Sequence, residues 1–333
     1  MKDNEISHEN NFSFKKAQIK VFKYGNIDNQ FNFRHSSIFF FIILLFIIII
    51  QFIIICNLKS SINNIFASKK SVDNQLYDIN FKYEDYDKDM ITDKIKKDSG
   101  WILSLNEAQF INGIIRKNKL KNCLEIGVAQ GGSSVLILNA IKDIKDSILV
   151  SLDLNKELYN DPKQLTGYRV NQYFPELSKN WKLYTGEQPH KFLVNLNIKF
   201  DFLFLDSAHV SPGEIINFIE ALPFLNKNAI VVIHDLFWHF RRVIDYKFFP
   251  SCISLIPILY GDKVFLHSRD RDVSNIGAVF LHPNQEQHYL DYFLLLLNFW
   301  EYIPKDFQIN ELRIFIKKYY KGVYYILKFN DFF

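Results

Sequence analysis

The sequence predicts an α/β fold: a doubly wound, mostly parallel sheet of seven strands with one antiparallel hairpin at an edge. Three observations predict it. Apolar runs of strand length recur at about 122–127, 147–153, 181–185, 200–206, 228–234, 263–267 and 276–282. Helix-like stretches lie between most of them, at about 133–143, 189–196 and 212–224, and strand–helix alternation of this kind covers both faces of a parallel sheet. The last two runs are separated only by the polar loop Ser268–Asn275, which suits a hairpin.

Length and composition set the bounds. The 333 residues are enough for one core of roughly 200 residues or more, with segments left over. The formal charge of +4 is mild and its basic residues are spread along the chain, so no nucleic-acid surface is marked. Cys56, Cys123 and Cys252 are far apart and odd in number. They form neither a disulfide framework nor a zinc spacing, and read as small buried hydrophobes.

Residues 1–37 are polar with little hydrophobic pattern and read as a disordered tail. Ile38–Cys56 follows, nineteen residues with Gln51 as the clearly polar one. At 1.5 Å per residue it covers about 28 Å, close to the thickness of a bilayer's hydrocarbon, and reads as a single transmembrane helix. Its length, its distance from the N-terminus and the lack of a small-residue cleavage site argue against a signal peptide. Basic residues flank it almost evenly, so the positive-inside rule leaves the orientation open.

Residues 57–100 read as a polar, charge-mixed linker with a few helical turns. The globular domain is placed at 101–284, and 285–333 as a helical extension packing on the sheet. Ser104-Leu-Asn-Glu107 is a capping box that starts a helix over about 105–118. That helix ends in Arg116, Lys117, Lys119 and Lys121, either a solvated end complementing the helix dipole or a contact for anionic lipid headgroups.

The stretch Cys123–Ser134 (CLEIGVAQGGSS) joins the first strand to a helix through Gly127, Gly131 and Gly132, with Glu125 two residues before the first glycine. Glycines let a backbone approach a ligand closely, and the helix start offers free N–H groups. The i, i+4, i+5 spacing fits neither the dinucleotide fingerprint nor the P-loop, although such a turn also serves as a plain connector.

In open parallel sheets the ligand sits beyond the carboxyl ends of the strands, and three aspartates fall there. Asp153 closes the second strand, where a carboxylate either accepts ribose hydroxyls or caps a helix. Asp206 and Asp235 close the fourth and fifth strands. If those strands are neighbours the two carboxylates lie side by side, and a hard divalent cation relieves their repulsion. Asp206 is spared capping duty because Ser211-Pro-Gly-Glu214 reads as a capping box with Pro at its first helical position. Asp235 also suits the cap of a helix over 236–246. His209, three residues after Asp206, is placed to remove a proton. His234 is either a third metal ligand or faces the other side of its strand.

The set LEIGVAQGGSS, SLDLN, FLFLDSAH and VVIHDL resembles the class I S-adenosylmethionine (SAM)-dependent methyltransferases. Within them it is most similar to the metal-dependent O-methyltransferases of the macrolide-sugar and cephalosporin-hydroxylase-like branch. The resemblance covers about 104–282 and implies a Rossmann-like sheet, SAM as cofactor and a divalent metal, magnesium or manganese. It implies that Glu125, Gly127, Gly131 and Ser133 line the methionine and ribose end of SAM, that Asp153 holds the ribose, and that Glu187 and Gln188 approach adenine. It also implies Asp206 and Asp235 as metal carboxylates and His209 as general base. The chain departs from that branch at His234, where relatives carry a carboxylate, and at Asn226-Lys-Asn228, which replaces a Pro-Gly-Gly turn.

The expected function is a membrane-anchored O-methyltransferase acting on a hydroxyl of a sugar, glycan or other small acceptor, the catalytic domain facing the cytoplasm where SAM is made. Its rival is an inactive membrane-anchored scaffold of the same fold. Oligomeric state is left open.

Overall fold

A computed structural model describes residues 81–100, 103–236, 251–266, 275–297, 300–301 and 305–327, all within the unit Leu76–Phe333. The expected transmembrane segment, the polar tail and the helix over 236–246 lie outside the described residues. Among the described residues no helix is long and apolar enough to cross a membrane.

The elements alternate as the hydrophobic pattern requires. They are α1 (Asp93–Asp98), α2 (Leu105–Asn118), β1 (Asn122–Ile126), α3 (Gly132–Ile141), β2 (Ile148–Asp153), α4 (Tyr168–Tyr173), β3 (Trp181–Thr185) and α5 (Pro189–Leu193). There follow β4 (Phe200–Leu205), α6 (Gly213–Ala221), β5 (Leu225–His234), α7 (Ser251–Ile258), β6 (Gly261–Phe265) and β7 (Ile276–Leu281). The extension adds α8 (Tyr289–Leu294), α9 (Asp306–Tyr319) and α10 (Lys321–Leu327).

The sheet has seven strands in the order β3-β2-β1-β4-β5-β7-β6. β7 runs antiparallel to both β5 and β6, and the other pairings are parallel. The order reverses direction between β1 and β4, which creates the crevice in which such sheets bind ligands. β4 and β5 are neighbours, so Asp206 and Asp235 emerge side by side.

Two apolar layers cover the two faces, and strand alternation distributes side chains between them. Leu124, Ile126, Leu203, Leu205, Val231 and Ile233 enter one layer with residues of α6, α8 and α9. Cys123, Phe202, Phe204, Ile230 and Val232 enter the other with α2 and α3. Each large aliphatic or aromatic side chain so buried contributes about 1.5–3 kcal/mol. The Cys123 thiol is free and buried.

Local signals explain the termini. Ser104 Oγ accepts from Glu107 N–H at 3.3 Å while Glu107 Oε2 accepts from Ser104 N–H at 2.7 Å, completing the expected capping box of α2. The box expected at 211–214 does not form. α6 begins one residue later with Pro212 at the cap, and no side chain caps it. The carboxylate of Glu214 is drawn instead to the loop that follows β4. Residues 81–100, expected as linker, belong to the domain: Tyr83, Ile91 and Ile95 are buried against α2 and α3. The Asn226–Asn228 segment is taken into β5, with a register shift opposite Phe200 and Phe202.

Gly127 has φ +95°, and a Cβ there would fall 1.9 Å from the Asp206 carbonyl oxygen. Gly322 on α10 has nothing within 4 Å of its Cβ position. Gly127→Ala should therefore destabilise the domain by about 3 kcal/mol, from overpacking plus left-handed strain. Gly322→Ala should stabilise it by about 0.5–1 kcal/mol. Urea unfolding of the two variants checks the opposite signs.

Candidate active site

The site is built from the carboxyl ends of β1, β4 and β5. Gly127 N–H donates to Leu152 O at 2.9 Å, turning the chain sharply after β1, and Gly131, at φ +96°, leads into α3. Gly100, Leu103, Gly127, Val128, Ala129, Gln130, Gly132, Ser133, Tyr159, Asn160, Asp206 and His234 line one cleft. Its rim is tied together by Arg169, whose Nε donates to Gln130 Oε1 at 2.8 Å and whose Nη1 donates to Asp98 O at 2.9 Å.

The expected cofactor residues divide. Gly127 and Ser133 line the cleft. Glu125 lies beneath it, fully buried, with Oε1 accepting from Ser133 Oγ at 2.6 Å and Oε2 from Ser134 Oγ at 2.6 Å and Ser151 Oγ at 2.5 Å. Strand alternation aims Glu125 into the layer below the turn, so it supports the turn rather than facing the cleft. Asp153 braces the same turn: Oδ2 accepts from Val128 N–H at 2.9 Å and Ala129 N–H at 3.2 Å, and Oδ1 from Asn155 N–H at 2.8 Å. Gly186 N–H donates to Asp153 O at 3.0 Å, which sets Glu187 and Gln188 beside the end of β2. Glu187 pairs with Lys191 at 2.9 Å, and Gln188 precedes α5 as its cap residue.

Asp206, His209 and Asp235 converge. One ligand atom of each lies within 4.8 Å of the others; the two carboxylates suit a hard divalent cation, and the His209 imidazole stands beside them. His209 Nε2 is 3.5 Å from Asp235 Oδ2 and 3.8 Å from Asp206 Oδ1. His234, expected as a metal ligand, is outside this group. It is buried, with Nδ1 3.3 Å from Asp206 Oδ1 and 3.4 Å from Asp235 Oδ1, and Nε2 3.5 Å from Glu107 Oε1. Its ring thus lies among three carboxylates as their counter-charge. Burial alone would lower its pKa, but the charge of Asp206, the hydrogen bond to Asp206, the nearby Glu107 carboxylate and the charge of Asp235 raise it to about 10. Burial pushes the Asp206 and Glu107 carboxyls up, and His234 outweighs this to hold both below their usual values.

Three contributors escaped the sequence reading. Glu107 was legible only as a cap, and its second oxygen faces His234. Asn275 Nδ2 donates to Asp235 Oδ1 at 2.7 Å from the start of β7, a cross-strand neighbour no local motif announces. Glu214 accepts from His209 N–H at 2.7 Å and from Ser207 N–H and Oγ at 3.2 and 3.0 Å. His190 lies away from this site, its Nδ1 2.6 Å from buried Glu220 Oε1.

Burial, opposed by the three serine hydroxyls, raises the Glu125 pKa from 4.5 to about 7. The folded value exceeds the unfolded one, so this group's contribution to stability is present below about pH 4.5 and lost as pH rises through about 7. The loss amounts to about 3 kcal/mol. Glu125→Gln keeps the shape without the titration. The difference in unfolding free energy between variant and wild type should move in the variant's favour by about that amount between acid and neutral pH. An unchanged difference in urea titrations would rule out the burial argument.

Residues 124–236 match the family described as a methyltransferase domain. Among solved structures, the O-methyltransferase TomG from Streptomyces achromogenes, involved in tomaymycin synthesis and solved with SAM, is 14% identical with a TM-score of 0.44, covering 66% of this chain and 95% of that one. A putative O-methyltransferase from Klebsiella pneumoniae is 15% identical with a TM-score of 0.42, covering 67% and 96%. An O-methyltransferase from Bacillus cereus in complex with SAH is 14% identical with a TM-score of 0.43, covering 65% and 95%. A comparison with curated proteins gave no match. The stretch that matches the methyltransferase-domain family, residues 124–236, runs from β1 to the end of β5 in the seven-stranded sheet.

Proposed function

We propose that the chain is a membrane-anchored O-methyltransferase whose acceptor is a hydroxyl of a sugar, glycan or similar small molecule. The observation that carries the reading is the convergence of Asp206, His209 and Asp235 at the strand ends beside the glycine turn. SAM supplies an electrophilic methyl group, and a neutral hydroxyl attacks it slowly unless its proton is removed. His209 is the group placed to take that proton, with Nε2 turned toward the two aspartates. Asp206 and Asp235 are the residues that would hold a magnesium or manganese ion, which when bound would polarise the acceptor oxygen and lower its pKa. The turn from Gly127 to Ser133 holds the donor, and the remaining barrier falls through alignment of oxygen, methyl and sulfur.

The anchor is the apolar run Ile38–Cys56, which concentrates membrane-linked acceptors near the domain. The domain faces the cytoplasm in this reading, because SAM is made there. The sugar acceptor rests on the sequence resemblance and on the anchor.

The test uses the full chain in nanodiscs, with radiolabelled SAM, a panel of sugar and glycolipid acceptors, and magnesium, manganese or chelator. Methyl incorporation should appear, fall on chelation, and drop by about 10²–10⁴-fold in His209→Ala while SAM affinity stays within about twofold. Equal loss of turnover and SAM affinity would remove His209 as base. SAM binding without transfer to any acceptor would leave a binding protein of the same fold.

A further inference from the structure

The basic cluster at the end of α2 divides in the fold. Arg116 Nε lies 2.6 Å from Asp87 Oδ2, and its Nη1 donates to Ala140 O at 3.1 Å. Lys117 Nζ sits 4.7 Å from the centre of the Phe81 ring. These two side chains are spent on packing the first residues of the domain. Lys119 and Lys121 are not. They flank buried Leu120, stand exposed, and make no ion pair among the described residues.

Lys227 joins them from β5. Pairing of β4 with β5 passes from Phe200–Leu225 directly to Phe202–Ile230, so the residues between Leu225 and Ile230 are looped out of that ladder. Lys227 and Asn228 are exposed there. Lys119, Lys121, Asp201, Asn226, Lys227 and Asn228 thus line one open concavity at the amino ends of β1, β4 and β5. The aspartate is committed to the rim itself: Oδ2 accepts from Asn122 N–H at 3.2 Å and Oδ1 from Asn226 Nδ2 at 2.5 Å. Three lysines against one aspartate leave the concavity net positive.

The acids of the candidate site, Asp206 and Asp235, sit at the opposite end of the same strands. An anionic surface is therefore drawn to the amino ends and repelled from the cleft. The chain also brings such a surface close. It enters the described domain at Phe81, beside Lys117, and 24 residues (57–80) separate Phe81 from the apolar run Ile38–Cys56. A tether of that length spans at most about 80 Å, and cytoplasmic leaflets carry anionic lipids.

We propose that this lysine-lined concavity docks on the phosphate headgroups of an anionic bilayer and so turns the cleft toward the aqueous phase. The proposal rests on the reading of Ile38–Cys56 as an anchor. A cleft held away from the bilayer reaches a hydroxyl carried clear of the headgroups, as on an extended glycan. Each lysine at such a surface strengthens docking by about fivefold, and salt screens the effect.

The experiment places the full chain in nanodiscs of phosphatidylcholine, alone or with phosphatidylserine, and follows acetylation of individual lysines by mass spectrometry. Phosphatidylserine should slow acetylation of Lys119, Lys121 and Lys227 by about tenfold or more. Exposed Lys163, in the loop after β2, should keep its rate. Raised salt should remove the protection, and Lys227→Gln should cut that of Lys119 and Lys121 by about fivefold. Equal rates in the two nanodiscs overturn the proposal, as does equal slowing at Lys163. Protection by inorganic pyrophosphate in phosphatidylcholine nanodiscs, with none from phosphatidylserine, makes the concavity a site for a soluble anion and overturns docking. If the chain fails to enter nanodiscs, the anchor reading falls and sedimentation with vesicles decides the surface. Capture by phosphatidylserine vesicles that is lost on combining Lys119→Gln, Lys121→Gln and Lys227→Gln upholds it. No capture, or capture that survives the three substitutions, overturns it.

Discussion

Two backbones meet at the heart of the site. Gly127 presses against the main chain at Asp206, where no side chain fits between them. Asp206 N–H in turn donates to Ile126 O at 3.0 Å, so the end of β4 is clamped to the turn after β1. This contact lies at the topological switch point. It puts the ligand turn and the acidic strand end on one wall of the cleft. The glycine turn lies on one side of that pair, and Asp206, His209, His234 and Asp235 lie on the other.

Holding acids this close and this dry requires compensation, and the two acidic centres solve it differently. Beneath the turn, Glu125 meets only neutral hydroxyl donors. Three short hydrogen bonds do not overcome its desolvation, so its pKa rises. At the strand ends, Asp206 and Glu107 share the imidazole of His234 and stay below their usual values despite burial. A carboxylate at position 234, as the resembling branch carries, would add a fourth negative charge here. The histidine instead adds a positive one. The same substitution that distances the chain from that branch thus relieves the repulsion its other acids create.

Much of this was legible because it depends on periodicity. Alternation along the strands and the capping box at Ser104 are local rules with no strong competitor at those positions, and the strand runs and α2 emerge nearly where the pattern puts them. Asp206 and Asp235 followed from their place at strand ends. Less legible were the residues for which two rules compete. Ser211 and Glu214 have the spacing of a cap, but the loop's unsatisfied N–H groups draw the carboxylate away, and the helix starts without a side-chain cap. His234 reads as a ligand by its neighbour and as a counter-charge by its surroundings, and only the fold brings Glu107 beside it. Asn275 and the serines around Glu125 are tertiary neighbours that no spacing along the chain reveals.

The extension after β7 reaches the same site from behind. Glu301 N–H donates to Ser211 O at 2.9 Å, tying the extension to the end of the histidine loop. Tyr320 Oη donates to Ile219 O at 2.6 Å, and Tyr292 packs edge-on against Phe218, so α6 is braced along its length. α6 carries Glu214 and Asn217, which hold Ser207 and His209. The imidazole that faces Asp206 and Asp235 is therefore positioned through a chain of contacts that begins in the C-terminal helices. Burial of Phe293, Phe315 and Tyr320 in the extension is in this sense part of the site: it stiffens α6, and α6 holds the loop in a conformation that its own residues do not favour.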